Sequence, residues 1–161
     1  MKYKINEYNK LIRQSLKSFN FYSTALENIE NRITELKKEL ETVKIKTTNY
    51  GERTSRGGEG SEVERLAEKR AAKQAEIDIL ELDHARLAGY LKRLNNALAA
   101  LPKNDFDLIK SVYIEQKSRE AICQMLFCSE RSLHYSLRRI EGELALMLYG
   151  LKARERVLFV E

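Results

Sequence analysis

From Leu26 onward the apolar residues fall at Leu26, Ile29, Ile33, Leu36, Leu40 and Val43, in alternating steps of three and four. Steps of that size keep side chains on one stripe of an α-helix, whereas a strand turns successive side chains to opposite faces. A second stripe, read in sevens, runs through Val63, Leu66, Arg70, Lys73, Ile77, Leu80, His84, Leu87, Leu91, Leu94, Leu98 and Leu101, with its second half the more regular. Two long helical seams must be buried against each other or against another copy of the chain. The 161 residues include 7 Gly, 1 Pro and no Trp, too few turn formers for a barrel or sandwich. The predicted fold class is all-α.

The first stripe stops before TTNYGERTSRGGEG, which holds four glycines and no apolar period. This predicts a Gly-rich connection over 47–60, with Ser61 as N-cap of the next helix and Glu62 and Glu64 at its positive end. A helix from there to Leu101 would be on the order of 60 Å long and needs a partner along its length. Folding the first stripe back through the connection supplies one, so residues 1–101 read as an antiparallel helical hairpin or coiled coil. Stripe left uncovered would seek a second copy, giving a homodimer or higher homo-oligomer. His84 reads as a polar seam residue that sets register, since no second ligand stands beside it. Arg70 and Lys73, in the weaker half, mark fraying or a contact outside the hairpin. Pro102 ends the rod and is the expected boundary between 1–101 and a second domain, 102–161.

The longest uncharged runs, Ser18 to Leu26 and Ala121 to Ser129, are far short of the twenty or so apolar residues that span a bilayer. The N-terminus MKYKINEYNKLIRQ has neither the apolar core nor the cleavage site of a secretory signal. A cytoplasmic protein is expected, and two cysteines, Cys123 and Cys128, fit that compartment. Charged residues make up 33% of the chain and the net charge is +5. The basic excess is concentrated at Lys2, Lys4, Lys10, Arg13 and Lys17, opposed only by Glu7, and at Lys44, Lys46, Arg53 and Arg56, opposed only by Glu52. Such clusters suit phosphate contacts and equally suit solvated helix faces.

After Pro102 three shorter helical patterns follow. Asp105 to about Glu115 places Phe106, Ile109 and Val112 or Tyr113 on one face. Ser118 to Leu126 places Ala121, Ile122 and Met125, and Ser129 onward places Leu133, Leu137, Ile140, Leu144 and Leu148. Within SREAICQMLFCSERSLHYSLRRIEG, Ser118 caps one helix, a tight break follows at Phe127-Cys128, and Ser129 caps a helix that opens polar and turns basic. That is the grammar of a helix-turn-helix, in which the first helix braces the second and the second enters the major groove of double-stranded DNA. With Leu133, Leu137 and Ile140 inward, Glu130, Arg131, Ser132, His134, Tyr135 and Arg138 are the candidate base readers. Ser118, Ser129, Arg139, Lys44, Lys46, Arg53 and Arg56 are the candidate phosphate contacts.

The stretch 105–149 resembles the C-terminal part of phage late-gene transcription activators of the RinA and ArpU type, and also sigma factor region 4. In both, a helix ending in an aromatic and acidic patch, here Ser111-Val112-Tyr113-Ile114-Glu115, leads into the motif, and a Ser opens the recognition helix, as Ser129 does. The resemblance extends more loosely to the charged N-terminal region and to Tyr50 to Gly60. It implies an activator of late phage genes in a bacterial host cell, acting with host RNA polymerase. Two positions depart from the pattern. Phe127 stands where the turn often has Gly, and Cys123 where such motifs often have Gly or Ala.

No metal site and no cofactor are expected. Cys123, Cys128 and His134 are one ligand short of a tetrahedral zinc site. Enzymatic function is also not expected, because there is no Gly-rich phosphate loop, and neither His84 nor His134 has a nucleophile beside it. Two other readings stand beside the DNA-binding regulator. A small terminase subunit joins the same parts, but usually with the DNA-binding helices first. A coiled-coil protein-interaction module would use the C-terminal helices only as a cap.

Overall fold

The computed structural model describes residues 7–50 and 59–153, and the side chains of 7–42 and 64–153. Among the described residues all regular structure is helical: α1 (Glu7–Lys17), α2 (Phe19–Tyr50), α3 (Glu59–Ala99), α4 (Lys103–Ile109), a π-helical turn (Lys110–Ile114), α5 (Arg119–Leu126) and α6 (Glu130–Tyr149). The all-α expectation holds. The long helices reach further than the glycine pattern predicts. Thr47 to Tyr50 extend α2, and α3 begins at Glu59, so Ser61 lies inside α3 rather than at its N-cap. The penalty for one Gly in a helix, about 1 kcal/mol, is small against a helix of that length. No helix among the described residues is long and apolar enough to cross a membrane.

The chain divides into two compact units, one formed by Met1–Ser23 with Tyr90–Glu161 and the other by Thr24–Gly89. The boundary expected at Pro102 is therefore displaced. Pro102 does end α3, where Leu101 N–H reaches back to the Leu98 carbonyl at 3.2 Å, and its own carbonyl accepts from Asp105 and Phe106 at 3.0 and 2.9 Å to start α4. A proline bends the path of the chain, but burial decides what packs with what. Leu94, Ala97, Leu98 and Leu101 share one core with Ile109, Ile122, Leu133, Leu137, Ile140 and Leu144, so the end of α3 belongs with the C-terminal helices.

The N-terminal helix belongs there too. On α1, Tyr8, Ile12 and Leu16 are spaced by four; Ile12 and Leu16 are fully buried, and α1 packs chiefly on α6. Burying each of these two side chains stabilises the unit by about 1.5–3 kcal/mol. Tyr8 stacks on Tyr149 with centroids 5.2 Å apart, and Tyr90 meets Tyr22 edge-on at 6.0 Å. The C-terminal faces follow the sequence expectation with two exceptions. Ile109, Ile122, Leu133, Leu137, Ile140 and Leu144 are buried, but Ala121 and Met125 on the short α5 are exposed. Eight residues of helix expose more face than their neighbours can cover.

In the unit Thr24–Gly89 the expected seams are where burial concentrates. Leu36 and Ile77 are buried, and Leu26, Ile29, Ile33 and Leu40 on α2 and Leu66, Leu80, His84 and Leu87 on α3 are half-buried. Three ion pairs tie α2 to α3: Arg32–Glu76 at 3.1 Å, Lys37–Glu81 at 2.7 Å and Lys73–Glu39 at 2.5 Å. Lys73 thus occupies a seam position, half-buried, with its ammonium group ending on Glu39. Solvent-exposed pairs of this kind contribute little each and chiefly discriminate between registers.

Candidate nucleic-acid interface

Two successive capped helices build the candidate site. Ser118 is extended, and its Oγ accepts the Ala121 N–H at 3.2 Å to cap α5. Ser129 repeats the device for α6, its Oγ accepting the Ser132 N–H at 3.2 Å. Between them, Cys128 N–H bonds the Cys123 carbonyl at 3.0 Å and Phe127 N–H bonds the Gln124 carbonyl at 3.4 Å. That 6→1 and 5→2 pair closes a Schellman motif, which requires its C′ residue to be left-handed. Phe127 takes that role with φ 50° and ψ 41°, so the turn keeps its usual geometry without the usual glycine. Cys123 and Cys128 hold the two positions whose side chains meet in this motif, and burial with the neighbouring Cys128 sulfur pushes the Cys123 thiol pKa up. The second departure therefore fills an ordinary packing position.

On α6, Leu133, Leu137, Ile140 and Leu144 form the buried line. The opposite side presents Glu130, Arg131, Ser132, His134 and Tyr135, all exposed, with Arg138 half-buried. Every candidate base reader is thus on or beside one outward face, and the first three lie in the opening turn. The Arg131 guanidinium stands 5.7 Å from the Tyr135 ring centroid. A hydrogen bond to Tyr135, with its charge, holds the Arg131 pKa above the ordinary value. A planar cation stacked on an exposed ring is restricted in direction while keeping donors for an acceptor outside the protein. Arg119, Glu130, Arg131, Leu133, His134 and Leu137 line a shallow cavity of about 230 Å³ beside this face.

The candidate phosphate contacts separate into three groups. Ser118 and Ser129 are exposed at helix N-termini, where free N–H groups favour an anion. Arg139 is committed elsewhere: it donates to both Asp105 carboxylate oxygens at 2.8 and 2.9 Å and to Glu143 at 2.8 Å. Asp105 first and Glu143 second hold its pKa up. A guanidinium that already answers two carboxylates ties α6 to α4, which gives Arg139 a structural role beside the phosphate contact expected for it. Lys44 and Lys46 lie on α2 with side chains outside those described, and Arg53 and Arg56 lie outside the described residues. Of the N-terminal cluster, Lys2 and Lys4 lie outside the described residues, Lys10 and Lys17 are exposed, and Arg13 is engaged with buried Glu141.

Arg13 belongs to a network that the sequence reasoning missed. Glu141 on α6 is fully buried, and its Oε1 accepts from Arg13 Nε at 2.7 Å and from the Tyr113 hydroxyl. The other oxygen, Oε2, has no hydrogen-bond partner. Burial, and then the hydrogen bond and charge of Glu141, push the Tyr113 pKa well above the ordinary tyrosine range. The bond to Glu141 likewise raises the Arg13 pKa. A signal existed, because Glu141 stands four residues after Leu137 on the inward stripe, where a lone carboxylate demands a buried cation.

Among the described residues no three His, Cys, Asp or Glu side chains group so as to hold a metal ion. Comparison with protein-family models, with curated proteins and with solved structures finds no match to this chain.

Proposed function

We propose that the protein is a sequence-specific, double-stranded DNA-binding transcription regulator, a phage late-gene activator working with host RNA polymerase. In this reading α5 and α6 are a helix-turn-helix and α6 enters the major groove from its N-terminal end. Arg131 reaches guanine edges, Ser132 and His134 exchange hydrogen bonds with bases, and Tyr135 both steadies Arg131 and touches the groove. The helices α2 and α3 form an antiparallel hairpin through which two copies associate. Lys44, Lys46, Arg53 and Arg56 add phosphate contacts. The observation that carries the reading is the pair of Ser-capped helices joined by a left-handed turn, with the second helix outwardly polar over its first two turns.

The test is selection of bound fragments from fragmented phage and host DNA by the purified protein at two salt concentrations. One recurring site should be enriched, and the Arg131→Ala variant should lose discrimination among sites. Lys44→Ala/Lys46→Ala should instead weaken binding to all fragments and flatten the salt dependence. Enrichment of no fragment at either salt would sink the proposal in favour of a coiled-coil protein-interaction module. A ring of many copies in light scattering would favour a small terminase subunit.

A further inference from the structure

Phe127 combines two unfavourable properties. It is one of two non-glycine residues at positive φ among those described, in a conformation that a bulky side chain adopts only against steric resistance. Its side chain is also 97% exposed, so the ring returns nothing to the fold. Glycine at this position would remove both costs and leave the two turn hydrogen bonds in place. The ring is therefore accounted for by something outside the molecule. The turn hydrogen bonds fix the Phe127 backbone two residues before Ser129, the residue that caps α6. The exposed opening turn Glu130, Arg131 and Ser132 follows directly after that cap in the chain, and Arg119 and Arg131 line one cavity beside α6.

We infer that Phe127 is a specificity-determining residue, its ring packing on the C5-methyl group of a thymine at the lip of the major groove. The thymine methyl is the apolar group that the major groove offers, and reading it needs an apolar surface held at a fixed point rather than a hydrogen-bond donor. A ring on a pinned left-handed turn two residues before the cap of α6 meets that need. The alternative occupant is a protein surface, for which the neighbouring exposed Met125 and Leu126 would form part of one patch. The inference rests on the DNA-reading proposal above.

The experiment uses the full chain and the site recovered by fragment selection, with Phe127→Gly and Phe127→Asn, two residues that accept the left-handed conformation. Both variants should keep the melting temperature within about 3 °C of the parent or raise it. Phe127→Gly should bind the site at least about tenfold more weakly, as expected for losing a buried ring contact. Replacing one particular thymine by uracil should weaken the parent about threefold to fourfold, the contribution of one methyl, and leave Phe127→Gly unaffected. Unchanged affinity in both variants would overturn the inference and point to the protein-docking alternative. Equal sensitivity of parent and variant to every uracil would also overturn it, because the ring would then not be the group that meets the methyl. Failure of the parent itself to enrich any DNA removes the DNA-reading proposal, and this inference with it.

Discussion

At the scale of single residues, the most consequential arrangement is a charge in the core. Glu141 is fully buried, and its oxygen Oε1 answers both Arg13 and Tyr113. Such a pair is costly to assemble and far costlier to break, since removing one partner strands the other. Arg13→Ala should therefore destabilise the protein by about 3–5 kcal/mol in urea unfolding, much more than an exposed arginine would. Adding Glu141→Leu to it should restore most of that loss, because the stranded carboxylate, not the missing cation, carries the penalty. Tyr113 adds a pH dependence of definite sign. Its folded pKa lies above the ordinary value of 10.0, so the protonated form is favoured in the folded state. Stability from this group is fully present below pH 10 or so and falls as pH rises from there toward the folded pKa. Denaturant titrations across that range should show the parent losing stability faster than Tyr113→Phe. An identical alkaline slope in the two proteins would show that burial and Glu141 do not hold the Tyr113 proton.

At the scale of elements, what was legible in the sequence was what local chemistry decides. The caps Ser118 and Ser129, the stop at Pro102 and the inward line Leu133, Leu137 and Ile140 depend on residues within a few positions of one another. The seams of α2 and α3 were equally legible, since a period of three and four is a property of one helix. Partnerships between elements were not. Arg139 follows Arg138 in an apparently uniform basic pair, yet Asp105, 34 positions away, accepts from Arg139 Nη2 through both carboxylate oxygens. Nothing within α6 announces that partner. The salt dependence of DNA binding separates the two roles. Arg139→Gln should leave the slope of affinity against salt unchanged and cost at most about 1 kcal/mol of stability, as an exposed pair does. A slope shallower by about one unit would return Arg139 to the phosphate contacts.

At the scale of the whole molecule, the two ends of the chain share one core. Ile12 and Leu16 near the start are buried with Leu133, Leu137, Ile140 and Leu144 near the end, and the middle, Thr24–Gly89, has its own buried positions at Leu36 and Ile77. The sequence conceals this because the basic residues around Ile12 look like a charged arm, and an amphipathic helix of eleven residues gives no hint of a partner more than a hundred positions away. The unit containing the candidate DNA-reading helix is thus completed by α1. The consequence can be measured by hydrogen exchange. Ile12→Ala should cost about 2–5 kcal/mol and lower protection of the α6 amides, although the change is made at the opposite end of the sequence. Leu36→Ala, a cavity of the same class in the other unit, should lower protection in α2 and α3 between Thr24 and Gly89 while leaving α6 protected. Equal loss of protection throughout α2, α3 and α6 from either change would mean that the chain opens as one cooperative body. A graded and local response would mean that the unit Thr24–Gly89 can loosen while α6 keeps its place in the other core.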